Sequence, residues 1–224
     1  MVRRLWRAYV DAGALKERVL RTLMPSRMRF IHYSWPLRPG VCPCDIHFCD
    51  YLQERNIRGK AIFHFGTGGH HLVGLRNRFD GLANDVLGLT VSPREHARYV
   101  ARVVRDPSLG RSYKVLFADI YSLSASCLPE FDVVTLFHLC EFVPGDGGGH
   151  RTSDCEVLRL FCSRLLPGGL LVFYPGSYGY PQAAPFIAQA AADGHLAFVE
   201  DYYKSLAVFR VPRGPVTAGD PALR

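Results

Sequence analysis

Several protein classes are excluded by what this chain lacks. No run of about 18 uninterrupted apolar residues occurs, so no bilayer-spanning helix is expected. The opening MVRRLWRAYV is basic, but polar residues interrupt it before it could serve as a secretory signal. The seven cysteines are an odd number and contain no CxxC pair, which argues against a disulfide framework or a thioredoxin-type redox motif. A cytoplasmic, mostly reduced protein is the expectation. HExxH spacing and internal repeats are also missing. Charged residues make up 21% against 48% hydrophobic, too little charge and too much apolar character for a disordered chain.

The net charge of +7 is unevenly placed. Residues 1–38 carry eight arginines and one lysine against Asp11 and Glu17, a surplus of seven, whereas basic and acidic residues from Pro39 onward balance at 18 each. The body therefore offers no electrostatic grip on a phosphate backbone, and nucleic acid is not an expected partner. In residues 2–24, Trp6, Tyr9, Val10, Leu15, Val19, Leu20 and Leu23 recur at helical spacing between arginines, and Pro25 stops the run. This basic amphipathic arm reads first as a helix packed on the core with its arginines in solvent. Peripheral membrane-surface contact through residues 2–29, or a lid over an active site, is its other use.

Residues 34–44 (SWPLRPGVCPC) read as a linker, and Asp45 as the cap of a helix reaching about Ile57. From Lys60 the pattern alternates strand and helix: AIFHF at 61–65, a glycine-rich turn and a helix beginning near His70, then VLGLTV at 86–91. There follow a helix capped by Ser92 with Pro93 at its first position, YKVLFAD at 113–119, FDVVTLFHL at 131–139, and a helix over about 153–165. The Pro-Gly-Gly turn at 167–169 leads into LLVFYP, and a helix over 181–193 precedes HLAFVEDYY and SLAVFRV. Only Lys204 and its neighbours separate these last two runs, too short a stretch for a crossover helix, so they form an antiparallel hairpin. The expected fold is α/β: a Rossmann-like, doubly wound, mostly parallel seven-stranded sheet with a C-terminal antiparallel hairpin and an N-terminal helical arm. The expected organisation is an extension over 1–58, a main domain over 59–211 and a flexible tail over 212–224.

In a sheet of this kind ligands bind outside the carboxyl ends of the strands, here at Phe65-Gly66-Thr67-Gly68-Gly69-His70-His71. A dinucleotide fingerprint needs a third glycine at position 71, which is histidine, so that reading fails. Gly66-x-Gly68 after a strand, LGLTVSP, FADIYSL, FDVVTLFHLCEFV and LLPGGLLVFY before a terminal hairpin together resemble the class I S-adenosylmethionine-dependent methyltransferases over residues 60–211. The resemblance implies that Gly66, Thr67 and Gly68 lie against the methionine part of S-adenosyl-L-methionine, and that Thr90 to Ser92 face its ribose. It places Asp119 near the adenine amino group, Ile120 beside the ring, and Phe137, His138 and Glu141 between cofactor and acceptor. The implied activity is methyl transfer to a small-molecule or lipid-like acceptor. Two departures accompany it: His64 stands where the first strand usually carries an acidic residue, and Thr90 replaces the carboxylate that usually takes the ribose hydroxyls.

Near-neutral imidazoles at a strand-end cleft suit proton transfer, so His138 is the first choice of base, His70 or His71 the second, and Glu141 an orienting or cofactor-side group. Against this, His70 and His71 could simply begin a helix, one of them donating to a backbone carbonyl. Cys42, Cys44, His47 and Cys49 are donors enough for zinc, yet CxC lacks a second paired knuckle, and no metal site is assigned. Cys127, Cys140, Cys155 and Cys162 read as packing residues. Tyr174, Tyr178 and Tyr180 form either an acceptor wall or a rigid turn, and DGGGH at 146–150 reads as a flexible gate. Two other functions stay open: a catalytically degenerate binding or interaction module on this fold, and a metal-assisted, histidine-rich enzyme.

Overall fold

The computed structural model describes Leu15 and residues 31–141, 152–199 and 202–212. Apart from Leu15, the arm expected over 2–29 lies outside the described residues, as do the loop at 146–150 and the tail beyond Pro212.

Seven strands form one sheet: β1 (Ala61–Phe65), β2 (Asp85–Thr90), β3 (Tyr113–Phe117), β4 (Phe131–Thr135), β5 (Leu165–Phe173), β6 (Ala197–Phe198) and β7 (Ala207–Arg210). Their order is β3-β2-β1-β4-β5-β7-β6. Pairing is parallel from β3 through β5, and β7 runs antiparallel to both β5 and β6. The expected α/β architecture and its closing hairpin are both present.

Alternation along the strands feeds two cores. Phe63 and Phe65 of β1 pack on one face with Phe131, Phe161 and Phe173, while Ile62 faces the other with Phe48, Tyr113 and Val172. The first face is covered by α5 (Asp154–Arg164) and α6 (Tyr180–Ala192), the second by α1 (Cys44–Glu54), α2 (Leu72–Phe79) and α4 (Leu109–Ser112). Between β2 and β3 runs α3 (Pro93–Arg105), which begins as its sequence predicts, with the Ser92 hydroxyl accepting the Glu95 N–H and Pro93 in the first turn. Ser153 and Glu156 close a reciprocal cap at the start of α5.

Some boundaries differ from expectation. Asp45 does not cap α1; Pro43 precedes that helix, and Asp45 is buried in its first turn. β4 stops at Thr135 rather than 139: Leu136 still donates to Val172, but the chain then turns, with Cys140 at φ +66°. Pro167-Gly168-Gly169 lies inside β5, where the register against β4 shifts, rather than forming a turn before it. α2 begins at Leu72, because His71 adopts φ +53° and cannot join the helix.

Gly74 shows how closely α2 approaches the sheet, since a Cβ there would enter the ring of the fully buried Tyr113. Replacing a helix-interior glycine with alanine normally stabilises by roughly 1 kcal/mol. Gly74→Ala is expected to do the opposite, destabilising by about 1–3 kcal/mol through overpacking, as read from urea unfolding midpoints.

Candidate functional site

At the carboxyl ends of β1, β2, β3 and β4 the molecule opens into a cleft of about 930 Å³, counting solvent at its mouth. Its floor is the bend after β1. Gly66 takes φ +87° and Gly68 φ +56°, conformations that favour glycine. A Cβ on Gly68 would strike the His70 ring, and one on Gly66 would lie 3.5 Å from His138 Cδ2. Both glycines therefore keep the floor open.

The segment expected to be a linker forms one wall of this cleft, through Trp35, Leu37, Arg38 and Cys42, with Ile31 shortly before it. Backbone bonds hold it there: Ile31 N–H donates to Val91 (3.1 Å), and Gly69 N–H donates to the Trp35 carbonyl (2.8 Å). The Ser92 hydroxyl adds a bond to the Tyr33 carbonyl (2.6 Å).

Nine of the twelve residues singled out by sequence line the cleft: Gly66, Gly68, His70, Thr90, Ser92, Asp119, Ile120, His138 and Glu141. Thr67, His71 and Phe137 are buried outside its lining. His71 is packed into the fold, with Nδ1 2.8 Å from the Tyr113 hydroxyl and Nε2 3.0 Å from the Glu95 carbonyl oxygen. Burial brings its pKa down to about 4, so the ring is neutral. Phe137 packs edge-on against Phe48. Of the tyrosines after β5, Tyr174 is buried and Tyr178 is exposed, and its N–H donates to Glu141 Oε1 at 2.7 Å.

Two carboxylates that sequence reading did not place occupy the neighbourhood of the two departures. Glu95, 2% exposed, reaches back from the first turn of α3 so that Oε2 accepts the Thr90 hydroxyl (2.7 Å) and Oε1 accepts the Trp35 N–H (2.9 Å). Burial raises its pKa, opposed by these two bonds. Its signal was present in the sequence, since Ser92-x-x-Glu95 is a capping-box spacing whose glutamate folds toward the helix start. Asp45 comes from α1 and lies 3.7 Å from both His64 Nε2 and His70 Nε2. Burial would raise its pKa, but His64 first, then His70 and His138, bring it below the ordinary value. No local spacing announces this contact.

At the β4 end, His138 Nδ1 lies 2.9 Å from Glu141 Oε2. Burial favours the neutral ring, yet the Glu141 charge and the neighbouring Cys42 hold the His138 pKa well above its usual value. His70 differs: burial lowers its pKa, and its Nδ1 accepts the Leu72 N–H at 3.2 Å. Cys42 and Cys44 complete this corner. Their Sγ atoms are 3.4 Å apart and each lies 3.9 Å from His138 Nε2. The two donors that adjoin them in sequence turn away: His47 contacts the Ser205 hydroxyl, and Cys49 is buried in the core.

No family model matches the chain, and no curated sequence does. Solved structures do. A candidate RNA methyltransferase from Pyrococcus horikoshii is similar over 90% of this chain and 98% of its own, at 12% identity and TM-score 0.53. An O-methyltransferase family protein from Burkholderia thailandensis is similar over 76% of this chain and 56% of its own, at 14% identity and TM-score 0.51. The chain spans 39% of the length of coclaurine N-methyltransferase, with 62% of this chain covered, 18% identity and TM-score 0.44. Likeness at such identities concerns architecture: this is the class I S-adenosylmethionine-dependent methyltransferase fold, with its sheet order and reversed β7. Among the described residues no helix is long and apolar enough to cross a membrane.

The Cys42 thiol has its pKa lowered to about 6, chiefly by its bond from Cys44 and, against burial, by His138. In buffer containing EDTA, alkylation of Cys42 by iodoacetamide, followed by peptide mass mapping, should have its pH midpoint near 6. His138→Ala should move that midpoint up, toward the ordinary thiol value of about 8.5. A wild-type midpoint already at the ordinary value would contradict the lowered Cys42 pKa.

Proposed function

We propose that this protein transfers a methyl group from S-adenosyl-L-methionine to a small-molecule or lipid-like acceptor. The observation that carries the reading is the character of the cleft: a floor kept open by glycines, with Asp45, Glu95, Asp119 and Glu141 in its lining against Arg38 and the imidazoles of His70 and His138. Such a lining favours a ligand with hydroxyl and amino donors and a positive centre, and disfavours polyanionic nucleic acid.

The cofactor, when bound, supplies an electrophilic methyl carbon on a sulfonium. The chain's own residues then position and protect. The Gly66–Gly68 bend admits the ligand close to the backbone; Glu95, with Thr90, accepts ribose hydroxyls in place of the acidic residue that β2 lacks. Asp119 accepts from the adenine amino group, and Ile120 flanks the ring. His138, oriented by Glu141, meets the acceptor and takes its proton at a pH above its raised pKa, with His70 as the second imidazole on that side. Since the body from Pro39 onward is charge-balanced, binding energy comes from shape and hydrogen bonds rather than from a basic groove.

Calorimetric titration with S-adenosylhomocysteine is expected to show one site per chain, and saturating ligand should raise the melting temperature by mass action. No heat and no shift from a folded protein would leave the alternative of a binding module for another ligand. Glu95→Gln, which preserves packing and one acceptor, and Asp119→Ala should each weaken binding by about tenfold or more. Gly68→Val should abolish it, because the substituted Cβ meets His70 and φ +56° suits glycine. Unchanged affinity in all three variants would remove this site assignment.

A further inference from the structure

We propose that Cys42, Cys44 and His138 hold a zinc-type divalent cation at the side of the cleft, with its fourth coordination position open toward the acceptor. Three independent features of the corner point there.

The first is donor spacing. A tetrahedral zinc with Zn–S of about 2.3 Å and Zn–N of about 2.0–2.1 Å places its donors roughly 3.6–3.8 Å apart. The observed separations are 3.4 Å between the two Sγ atoms and 3.9 Å from each to His138 Nε2, so all three are close to ligating positions before any cation enters. These three form a tight ligand cluster among the described residues, drawn from segments 94 and 96 positions apart.

The second is how the ligands are held. Cys42 is fixed by the turn in which Val41 and Cys42 N–H both donate to the Arg38 carbonyl at 2.9 Å. Cys44 is the first residue of α1. His138 has Nδ1 engaged by Glu141 Oε2 at 2.9 Å, which leaves Nε2 as the ligating atom, and the other Glu141 oxygen is fixed by the Tyr178 N–H at 2.7 Å. A carboxylate behind the imidazole is the usual support of a metal-bound histidine.

The third is charge and donor chemistry. Asp45 Oδ1 lies 3.6 Å from Cys44 Sγ, so two thiolates here would sit between the carboxylates of Asp45 and Glu141, a concentration of negative charge that a divalent cation relieves. Two sulfurs and one imidazole nitrogen select zinc over magnesium, calcium or manganese, which prefer oxygen. All three ligating residues line the cleft, and three protein ligands with one open position is the arrangement of catalytic rather than structural zinc.

The use of the open position rests on the methyl-transfer reading; the cation site does not. A thiol or hydroxyl acceptor would bind through its heteroatom and lose its proton to solvent at lower pH than when free. The methyl carbon then leaves the sulfonium sulfur, which keeps the bond pair as a thioether, and bonds to the acceptor heteroatom. His138 serves as ligand in that case, and activation of the acceptor passes to the cation.

The test uses the full-length chain without a polyhistidine tag. Elemental analysis after purification should find about one zinc per chain, and almost none in the Cys42→Ser/Cys44→Ser double variant. Cobalt(II) exchanged into the wild type should give intense visible bands of tetrahedral geometry and a thiolate charge-transfer band, and 2-mercaptoethanol should perturb them by entering the open position. Glu141→Gln should weaken zinc about 10–100-fold in competition with a chelator while circular dichroism stays unchanged. A folded wild type that binds neither zinc nor cobalt overturns the proposal, as does full zinc in the double variant. Cobalt bands insensitive to the thiol overturn the open position. Calorimetry with S-adenosylhomocysteine, run in parallel, separates the two ideas: ligand heat without metal defeats the cation alone, and metal without ligand heat defeats the methyl-transfer reading alone.

Discussion

The site depends on how sharply the chain leaves β1. Between Phe65 and Leu72 three residues, Gly66, Gly68 and His71, take left-handed backbone conformations, and this bend carries the chain from the sheet into α2. Of these three only His71 has a side chain, and it fastens the turn from inside the fold, against the Tyr113 hydroxyl and the Glu95 carbonyl. One buried imidazole thus joins the bend to β3 and to the first turn of α3. Gly69, on the same bend, donates to Trp35 and draws the preceding segment over the strand ends. Floor and wall of the cleft are consequences of one turn.

The same arrangement brings a carboxylate from elsewhere in the chain beside each of the two positions that depart from the methyltransferase pattern. Strand β2 ends in Thr90 rather than an acid, and Glu95 supplies the carboxylate from five residues further on. Strand β1 carries His64 rather than an acid, and Asp45 approaches it from α1. A cleft needs negative potential at a place, and the backbone that delivers it is interchangeable provided the group is held. Glu95 is held by the Thr90 hydroxyl and the Trp35 amide, and Asp45 by paired imidazoles. Those partners outweigh the cost of desolvation at Asp45 and meet only part of it at Glu95, whose pKa stays raised.

The opposite wall has a different chemistry. Around His138 the groups are soft or titratable, with two thiols and a carboxylate-backed imidazole rather than hydroxyls and amides. Hydroxyls, amides and carboxylates thus dominate the β1, β2 and β3 ends of the cleft, and thiols with a carboxylate-backed imidazole the β4 end.

Much of this was legible along the chain. Apolar strands alternating with helices, the Ser92-Pro93 start, the glycine bend and the hairpin around Lys204 are local patterns, governed by backbone conformational preference and by the period of the pleat, and each reappears in the structure. Nine of the twelve residues that the family resemblance pointed to line the cleft, because it placed them at the carboxyl ends of strands that lie side by side in a parallel sheet. Hidden from it were the contacts across long sequence separation. Asp45 beside His64, Trp35 against Glu95, and Cys42 with Cys44 across from His138 depend on how a proline-rich segment lies across the strand ends, and that path is chosen by packing and by hydrogen bonds to residues dozens of positions away. Amino-acid order by itself determined the architecture and the location of the cleft, because periodicity and turn chemistry act between near neighbours. Which charges and donor atoms face one another inside it was decided only by tertiary structure, because electrostatics and ligation act through distances in space.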